Sequence, residues 1–212
     1  MEMLNHFGYQ IGVASLVTMD PEDTIDHLRN QPREQGTADH NMKNIYTRDE
    51  RLLHQEFFED VLEEVEFLST MYAKKCGHKV EHVGVTQSTS SMLKNGGSMR
   101  NHMHSNSYIS GVFYPTDGSS IRLYNPLYGK LFMLEPEIDY DADNPCTWEY
   151  VTIKPEPGKI LFFPSEIPHS VEPNDDRAGR FSIAFNMMPA GVFGGFTRRI
   201  SMDVDRDTII RR

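Results

Sequence analysis

The stretch that decides the fold is GKILFFPSEIPHSVEPNDDRAGRFSIAFN, which runs from Gly158 to Asn186. Its residue order predicts an apolar strand, a turn, a histidine at position 169, a polar loop and a second strand that begins at Arg180. Pro164 and Pro168 border the turn, and each fixes its own φ and removes a backbone donor. We therefore expect His169 to be held rigidly at the open end of a β-structure.

The second strand, RFSIAFN, is predicted to have one polar face and one apolar face. An arginine and a serine that face inward favour a bound ligand, because arginine is the best planar partner for a carboxylate and a serine hydroxyl adds a donor. The alternative is a surface arginine on a sheet whose core lies on the phenylalanine side. The polar face holds Arg180, Ser182, Ala184 and Asn186, and the apolar face holds Phe181, Ile183 and Phe185.

Two further histidines, His102 and His104, lie upstream in the stretch RNHMHSNSYISGVFY. Residues two apart on a strand point to the same side, so both imidazoles could reach one ion. Neutral imidazole is a common ligand of iron, zinc, copper and nickel. The alternatives are exposed or structural histidines for this pair, and for His169 a turn histidine that caps a backbone carbonyl.

The composition fits one soluble globular domain. The chain has 212 residues, a net charge of −10 and a sequence pI near 5.3, which disfavours nucleic acid and anionic membrane surfaces as partners. It contains no apolar run of the ~18 residues that a membrane span needs. Its two cysteines, Cys76 and Cys146, are expected to be free thiols, and together with the lack of a signal segment they favour a cytoplasmic location.

The first 79 residues are predicted to form an edge strand and a helical support. We expect a hairpin or edge strand over residues 1–18, and a short helix from the Asp20-Pro21 start to about Asn30. A polar loop is expected over 31–48, followed by a long helix from Thr47 to Cys76 that Gly77 ends.

The remaining sequence predicts β-structure in the same single domain of residues 1–212. Residues 80–190 contain many short strands separated by turns, which is typical of a sandwich, a barrel or a jelly roll. Within them, residues 88–97 are predicted to be a Ser/Gly-rich loop. Residues 191–212 are predicted to be a C-terminal tail. The stretches 31–48 and 125–146 are either substrate lids or ordinary surface loops.

Four sequence blocks resemble the Fe(II)/2-oxoglutarate-dependent oxygenases, and within them a bacterial and phage group with a prolyl-hydroxylase-like order of blocks. The resemblance covers roughly residues 95–190 and depends on the order of the blocks, since no single block is decisive. The blocks are HMHSNSYISGVFY, SIRLYNP, GKILFFPSEIPHSVEP and RFSIAFN.

This resemblance implies a mainly β fold, a double-stranded β-helix or jelly roll supported by N-terminal α-helices. It implies that His169 is the distal iron ligand and that Arg180 pairs with the C5 carboxylate of 2-oxoglutarate. Ser182 completes the R-x-S pattern, and Tyr114 occupies the place where prolyl hydroxylases put a tyrosine on the same carboxylate. The implied reaction is hydroxylation of a small molecule or a protein side chain, with release of succinate and CO₂.

The sequence departs from the family pattern at the first metal motif. That pattern is H-x-D/E, whereas this chain has His102-Met103-His104, so the metal set would be His102, His104 and His169. Two other ligands remain open: Asn106, in a His104-Ser105-Asn106 motif, and Asp117, which lies in a predicted turn.

Two rival functions also remain open. One is a cupin-like three-histidine metal enzyme that does not use 2-oxoglutarate. The other is a non-catalytic jelly-roll binding module in which the histidines are structural. The sequence does not identify the substrate or the oligomeric state.

Overall fold

The computed structural model describes residues 1–6, 8–36, 43–128, 148–175, 177–194 and 197–204. Two antiparallel sheets form the framework of these residues, and two α-helices lie on one side of the larger sheet. The strands are β1 Glu2–His6, β2 Tyr9–Ser15, β3 Arg33–Gln35, β4 Asn44–Thr47, β5 His82–Leu93, β6 Met99–His102, β7 Ile109–Phe113, β8 Ile121–Tyr124, β9 Tyr150–Ile153, β10 Lys159–Pro164, β11 His169–Val171, β12 Arg180–Phe193 and β13 Ile200–Met202. The helices are α1 Pro21–Arg29 and α2 Glu59–Lys75.

The strand order confirms the predicted jelly roll. The larger sheet runs β1-β2-β10-β7-β12-β5-β4-β3, with β13 paired to β12, and the smaller sheet runs β6-β11-β8-β9. One apolar cluster joins the two sheets: Ile11 and Leu161 of the larger sheet pack with Leu123 and Ile153 of the smaller sheet. The sheets therefore enclose a common interior, and the site residues lie around it.

A second and larger apolar cluster lies between the helices and the larger sheet. Phe181, Ile183 and Phe185 of β12 belong to it, together with Val61 and Val65 of α2. This confirms that the phenylalanine face of β12 points toward the helical support. The polar face of the same strand is left to line the interior between the sheets.

The start of α1 is as predicted, and the start of α2 is not. The Asp20 carboxylate accepts hydrogen bonds from the backbone N–H groups of Glu22 and Asp23, which is the expected helix cap. The predicted helix from Thr47 begins only at Glu59, after two 3₁₀ turns at Leu52–His54 and Glu56–Phe58. The reason is that the backbone here bonds to β5: Leu53 N–H donates to the Ser88 hydroxyl at 2.9 Å.

Three segments predicted to be loop or tail are strands. Residues 88–93 belong to β5, because β12 pairs with that strand along its length, from Arg180 opposite Leu93 to Ala190 opposite His82. Residues 33–35 and 44–47 form an edge hairpin, although residues 37–42 of the same predicted loop lie outside the described residues. Beyond residue 190, β12 continues to Phe193 and pairs with β13.

Most of the predicted 125–146 excursion lies outside the described residues, which resume at 148. Among the residues that are described, no helix has both the length and the apolar character needed to cross a membrane.

A substitution at Gly111 of β7 tests the packing between the larger sheet and its helical support. A Cβ at this position would overlap the Phe185 ring and crowd the Leu161 carbonyl. We therefore expect Gly111→Ala to lower the free energy of unfolding by about 1–3 kcal/mol, measured by urea denaturation. Phe185→Leu should relieve much of that loss in the double variant, and strictly additive losses would contradict this packing.

Candidate active site

A cavity of about 460 Å³ lies between the two sheets, and its lining includes His102, His104, His169, Tyr114, Arg180 and Ser182. Its outer lining includes the exposed residues Glu34, Arg48 and Glu50. Its inner lining includes buried or half-buried side chains from both sheets: Gln87, Thr89, Ser91, His102, His104, Val112, Tyr114, Ile121, Phe163, His169, Val171, Arg180, Ser182 and Ala184.

The three histidines converge inside this cavity. His169 is the first residue of β11 and lies opposite His102 of β6 in the strand pairing. Their ring centroids are 4.3 Å apart, and the His104 ring lies 5.0 Å from His169 and 5.4 Å from His102. One ligand nitrogen from each ring lies within 4.8 Å of the other two, a spacing suited to a single metal ion.

The route by which His104 reaches this group differs from the prediction. His102 and His104 are expected to lie two residues apart on one strand, but β6 ends at His102. The backbone N–H of His104 instead donates to the Ser165 carbonyl at 3.2 Å, just before β11. Strand alternation therefore does not bring His102 and His104 to the same side. A hydrogen bond from His104 to the turn before His169 holds His104 near the other two histidines.

Each imidazole has an oxygen atom at its Nδ1. His102 Nδ1 lies 2.8 Å from the Arg100 carbonyl, and His169 Nδ1 lies 3.0 Å from the Ile167 carbonyl. His104 Nδ1 lies 2.5 Å from Oδ1 of the Asn186 side chain. These oxygens can only accept, so each Nδ1 carries the proton and each lone pair is on Nε2. This is the tautomer that a metal-binding histidine uses when its second nitrogen is held by an acceptor.

The environment of His169 keeps its imidazole neutral. Its pKa is lowered to about 3, mainly by burial and also by the nearby His102 and His104, while the hydrogen bond to the Ile167 carbonyl acts in the opposite direction. Because its pKa is this low, the lone pair of His169 is available at neutral pH. The side chain is only 5% exposed, so bulk water has little access to it. A neutral lone pair is what metal binding requires.

The alternative ligands lie away from the three histidines. Among the described residues, the potential metal-binding group consists of His102, His104 and His169, with no aspartate or glutamate. Asp117 is exposed, and Asn106 is exposed at a positive φ of 54°. Neither Asp117 nor Asn106 lines the cavity.

Arg180 forms the second chemical feature of the cavity. Its side chain is 1% exposed, its guanidinium lies 5.0 Å from the centre of the Tyr114 ring, and it donates to the Ser182 hydroxyl at 3.3 Å. Within the described parts of the chain, no carboxylate lies within ion-pair distance of it, and neither Arg180 Nε nor Tyr114 Oη has a hydrogen-bond partner.

Burial shifts the pKa values of both groups. It lowers the pKa of Arg180, and it raises the pKa of Tyr114 to about 12, where the arginine charge acts in the opposite direction. Tyr114 is therefore a neutral donor at physiological pH. A buried guanidinium without a counter-ion is costly, so this pocket is suited to an anion that accepts from Arg180 and Tyr114.

The polar residues near the cavity that were not predicted from the sequence lie mainly on β5. Ser91 is hydrogen-bonded to the Ser182 hydroxyl at 2.9 Å, and Gln87 accepts from the Asn186 side chain at 2.8 Å. The composition of residues 88–97 predicted a loop, which hid the alternation that places Gln87, Thr89 and Ser91 in the cavity wall. Asn186 was assigned to the correct face of β12 but was given no role.

Comparison with known proteins agrees with this architecture. Residues 88–186 match the family described as "Putative 2OG-Fe(II) oxygenase". No curated protein sequence matches the chain significantly.

Solved structures with the same fold are numerous and distant in sequence. A Pseudomonas putida prolyl-4-hydroxylase aligns with a TM-score of 0.55 and 16% identity, over 85% of this chain and 93% of that one. The non-heme α-ketoglutarate-dependent epimerase SnoN from nogalamycin biosynthesis aligns with a TM-score of 0.63 and 11% identity, over 89% and 81%.

Streptomyces hygroscopicus HygX, solved with nickel, 2-oxoglutarate and hygromycin B, aligns with a TM-score of 0.54 and 11% identity, over 84% and 82%. At these identities the structural likeness establishes the fold. The family match covers all three histidines and Arg180. Over residues 88–186, the chain is therefore similar to the 2OG-Fe(II) oxygenase family, and its fold is the one that the solved structures share.

Proposed function

We propose that this chain is an Fe(II)- and 2-oxoglutarate-dependent dioxygenase in which His102, His104 and His169 hold the iron. The observation that carries the proposal is the convergence of three imidazoles whose Nδ1 atoms all face acceptors, so that three Nε2 lone pairs are offered to one ion. Neutral imidazoles are suitable ligands for Fe(II), although this set lacks the usual carboxylate.

Arg180, Ser182 and Tyr114 are proposed to bind the far carboxylate of 2-oxoglutarate. The guanidinium is buried without a counter-ion, and the Tyr114 hydroxyl is a second unpartnered donor beside it. Ser182 is fixed by Ser91, so it can hold the guanidinium in place from one side. A carboxylate that accepts from Arg180 and Tyr114 would satisfy both groups.

Bound iron(II) supplies the oxygen chemistry that couples oxidative decarboxylation of 2-oxoglutarate to hydroxylation of a substrate C–H bond. The chain's own contribution is to orient the reactants and to exclude water. Val112, Ile121, Phe163 and Val171 supply apolar surface around the histidines. The exposed part of the cavity lining, which includes Glu34, Arg48 and Glu50, is where a small molecule or a protein side chain would enter.

The two rival functions leave observations unexplained. A cupin-like three-histidine enzyme without 2-oxoglutarate gives no reason for the buried and uncompensated Arg180. A non-catalytic jelly-roll module gives no reason for three histidines that have the same tautomer and lie around one point. We therefore consider both functions less well supported than the oxygenase.

We also propose that residues 1–212 act as one domain in the cytoplasm. Residues of the N-terminal part, such as Leu52 and Val65, share one apolar cluster with Phe181 and Phe185 of the jelly-roll core. The cytoplasmic location is supported by Cys76, which is a free thiol. The net charge of −10 argues against nucleic acid as a partner.

Anaerobic reconstitution tests the proposed metal and cosubstrate together. Protein supplied with Fe(II) should develop a metal-to-ligand absorption band when 2-oxoglutarate is added, and oxygen should then bleach the band and release succinate. His104→Ala should lose stoichiometric iron, because only two imidazoles would remain. Full iron retention in that variant would show that another residue completes the site, and absence of the band from the unaltered protein would contradict the proposed function.

Arg180→Met tests the cosubstrate pocket separately from the metal. This variant keeps most of the apolar stem of the side chain but removes the guanidinium and its charge, so we expect the Kd for 2-oxoglutarate to rise by about 100-fold or more. Iron binding should stay within about twofold, since Arg180 does not belong to the histidine group.

Tyr114→Phe provides a graded comparison, because it removes one neutral donor from the same pocket. A loss of about 3- to 30-fold in 2-oxoglutarate affinity is expected, following the usual cost of one hydrogen bond. Isothermal titration under anaerobic conditions measures both variants. Unchanged 2-oxoglutarate affinity in Arg180→Met would show that the cosubstrate binds elsewhere.

A further inference from the structure

The side chain of Asn186 makes a contact that the proposed metal site does not yet explain. It lies on the polar face of β12, and its Oδ1 is 2.5 Å from His104 Nδ1. The other two histidines are held by backbone carbonyls only two residues away, at Arg100 and Ile167. His104 is held by a side chain 82 residues away.

The Asn186 amide is itself oriented by β5. Its Nδ2 donates to Gln87 Oε1 at 2.8 Å, and the two residues lie opposite each other in the β12–β5 pairing. With the NH₂ group turned toward Gln87, the carbonyl end of the amide faces His104. The Ser110 hydroxyl lies on the same side, 3.4 Å from Oδ1. The direction of this amide is therefore fixed from the cavity wall.

The direction of the amide has a chemical consequence for His104. A neutral imidazole can carry its proton on either nitrogen, and only one tautomer leaves the lone pair on Nε2. An acceptor at Nδ1 selects that tautomer, whereas an amide turned the other way would place a donor there and select the wrong one. His104 occupies the motif position where a carboxylate is expected, and a carboxylate would need no such selection.

We propose that Asn186, oriented by Gln87, is a positioning residue that fixes the tautomer and ring orientation of His104 for metal binding. This inference rests on the proposed function, because it assumes that His104 is a ligand. Asn186 acts through the imidazole and does not touch the metal or the reactants. Loss of such an orienting partner typically costs 10- to 100-fold in metal affinity.

The primary test is the tautomer in the metal-free protein, read from two-bond ¹H–¹⁵N couplings of the labelled imidazoles. The unaltered protein should show His104 with the proton on Nδ1. Asn186→Leu, which is similar in volume but has no acceptor, should shift His104 toward the Nε2-protonated form, and His102 and His169 should not change. Asn186→Asp keeps the acceptor and should preserve the Nδ1 proton.

The second readout is Co(II) affinity, with Co(II) alone as the probe. Asn186→Leu should weaken binding 10- to 100-fold, Asn186→Asp should stay within about threefold of the unaltered protein, and Gln87→Leu should fall between them. Thr86→Val is the matched control, because the Thr86 hydroxyl donates to the backbone carbonyl of Asn186 at 3.2 Å and not to its amide. Its Co(II) affinity should stay within twofold.

The two readouts separate failure of this inference from failure of the proposed function. If the unaltered protein does not bind Co(II), the metal site is wrong, while the tautomer measurement still reports on Asn186. If Co(II) binds normally and Asn186→Leu keeps both the Nδ1 proton and the affinity, the positioning role is overturned. Should Asn186→Leu fail to fold, Gln87→Leu decides: an unchanged tautomer and affinity there overturn the role as well.

Discussion

The antiparallel pairing of β12 with β5 and β7 is the constraint on which the rest of the structure depends. Because β12 lies between these strands, its alternate side chains must divide between the helical support and the interior. The phenylalanines of one face fix α2 against the sheet. The other face brings Arg180 and Ser182 into the cavity and places Asn186 beside His104, so a single strand supplies the proposed anion-binding end and the partner of His104.

Among the described residues, no carboxylate accompanies the three histidines or pairs with Arg180. Three neutral imidazoles add no negative charge to a bound divalent metal, and Arg180 has no ion-pair partner among the described residues. The cavity therefore holds more positive charge than a site that contains the usual carboxylate. A dianion such as 2-oxoglutarate would compensate both ends, with one carboxylate at the metal and the other at Arg180. On the proposed function, the electrostatic balance of the cavity would therefore depend on bound 2-oxoglutarate.

The features predicted correctly from sequence follow either from local rules or from the order of the four family-like blocks. The Asp20 cap and the two faces of β12 follow from residue preferences within a few positions and from period-2 alternation, whereas the jelly roll and the convergence of His169 with His102 are implied by the resemblance to the oxygenases. The features predicted wrongly depend on distant partners. Residues 88–93 have a turn-like composition, yet β12 recruits them as a strand and buries Ser88, Ser90 and Ser91.

The role of Asn186 could not be predicted for a related reason. Its role depends on contacts with His104 and Gln87, which are 82 and 99 positions away in the chain. The late start of α2 has the same origin, since a hydrogen bond from Leu53 to Ser88 competes with the helix. Alternation could place Asn186 on the correct face, but only the folded chain shows what lies beside it.

The most direct measurement of the central claim is a crystal structure of the protein with Fe(II) and 2-oxoglutarate, grown without oxygen and recorded at the iron absorption edge. The account predicts one anomalous peak within coordination distance of Nε2 of His102, His104 and His169, and 2-oxoglutarate with its far carboxylate on Arg180. A peak bound by another set of residues, or 2-oxoglutarate with no contact to Arg180, would contradict it.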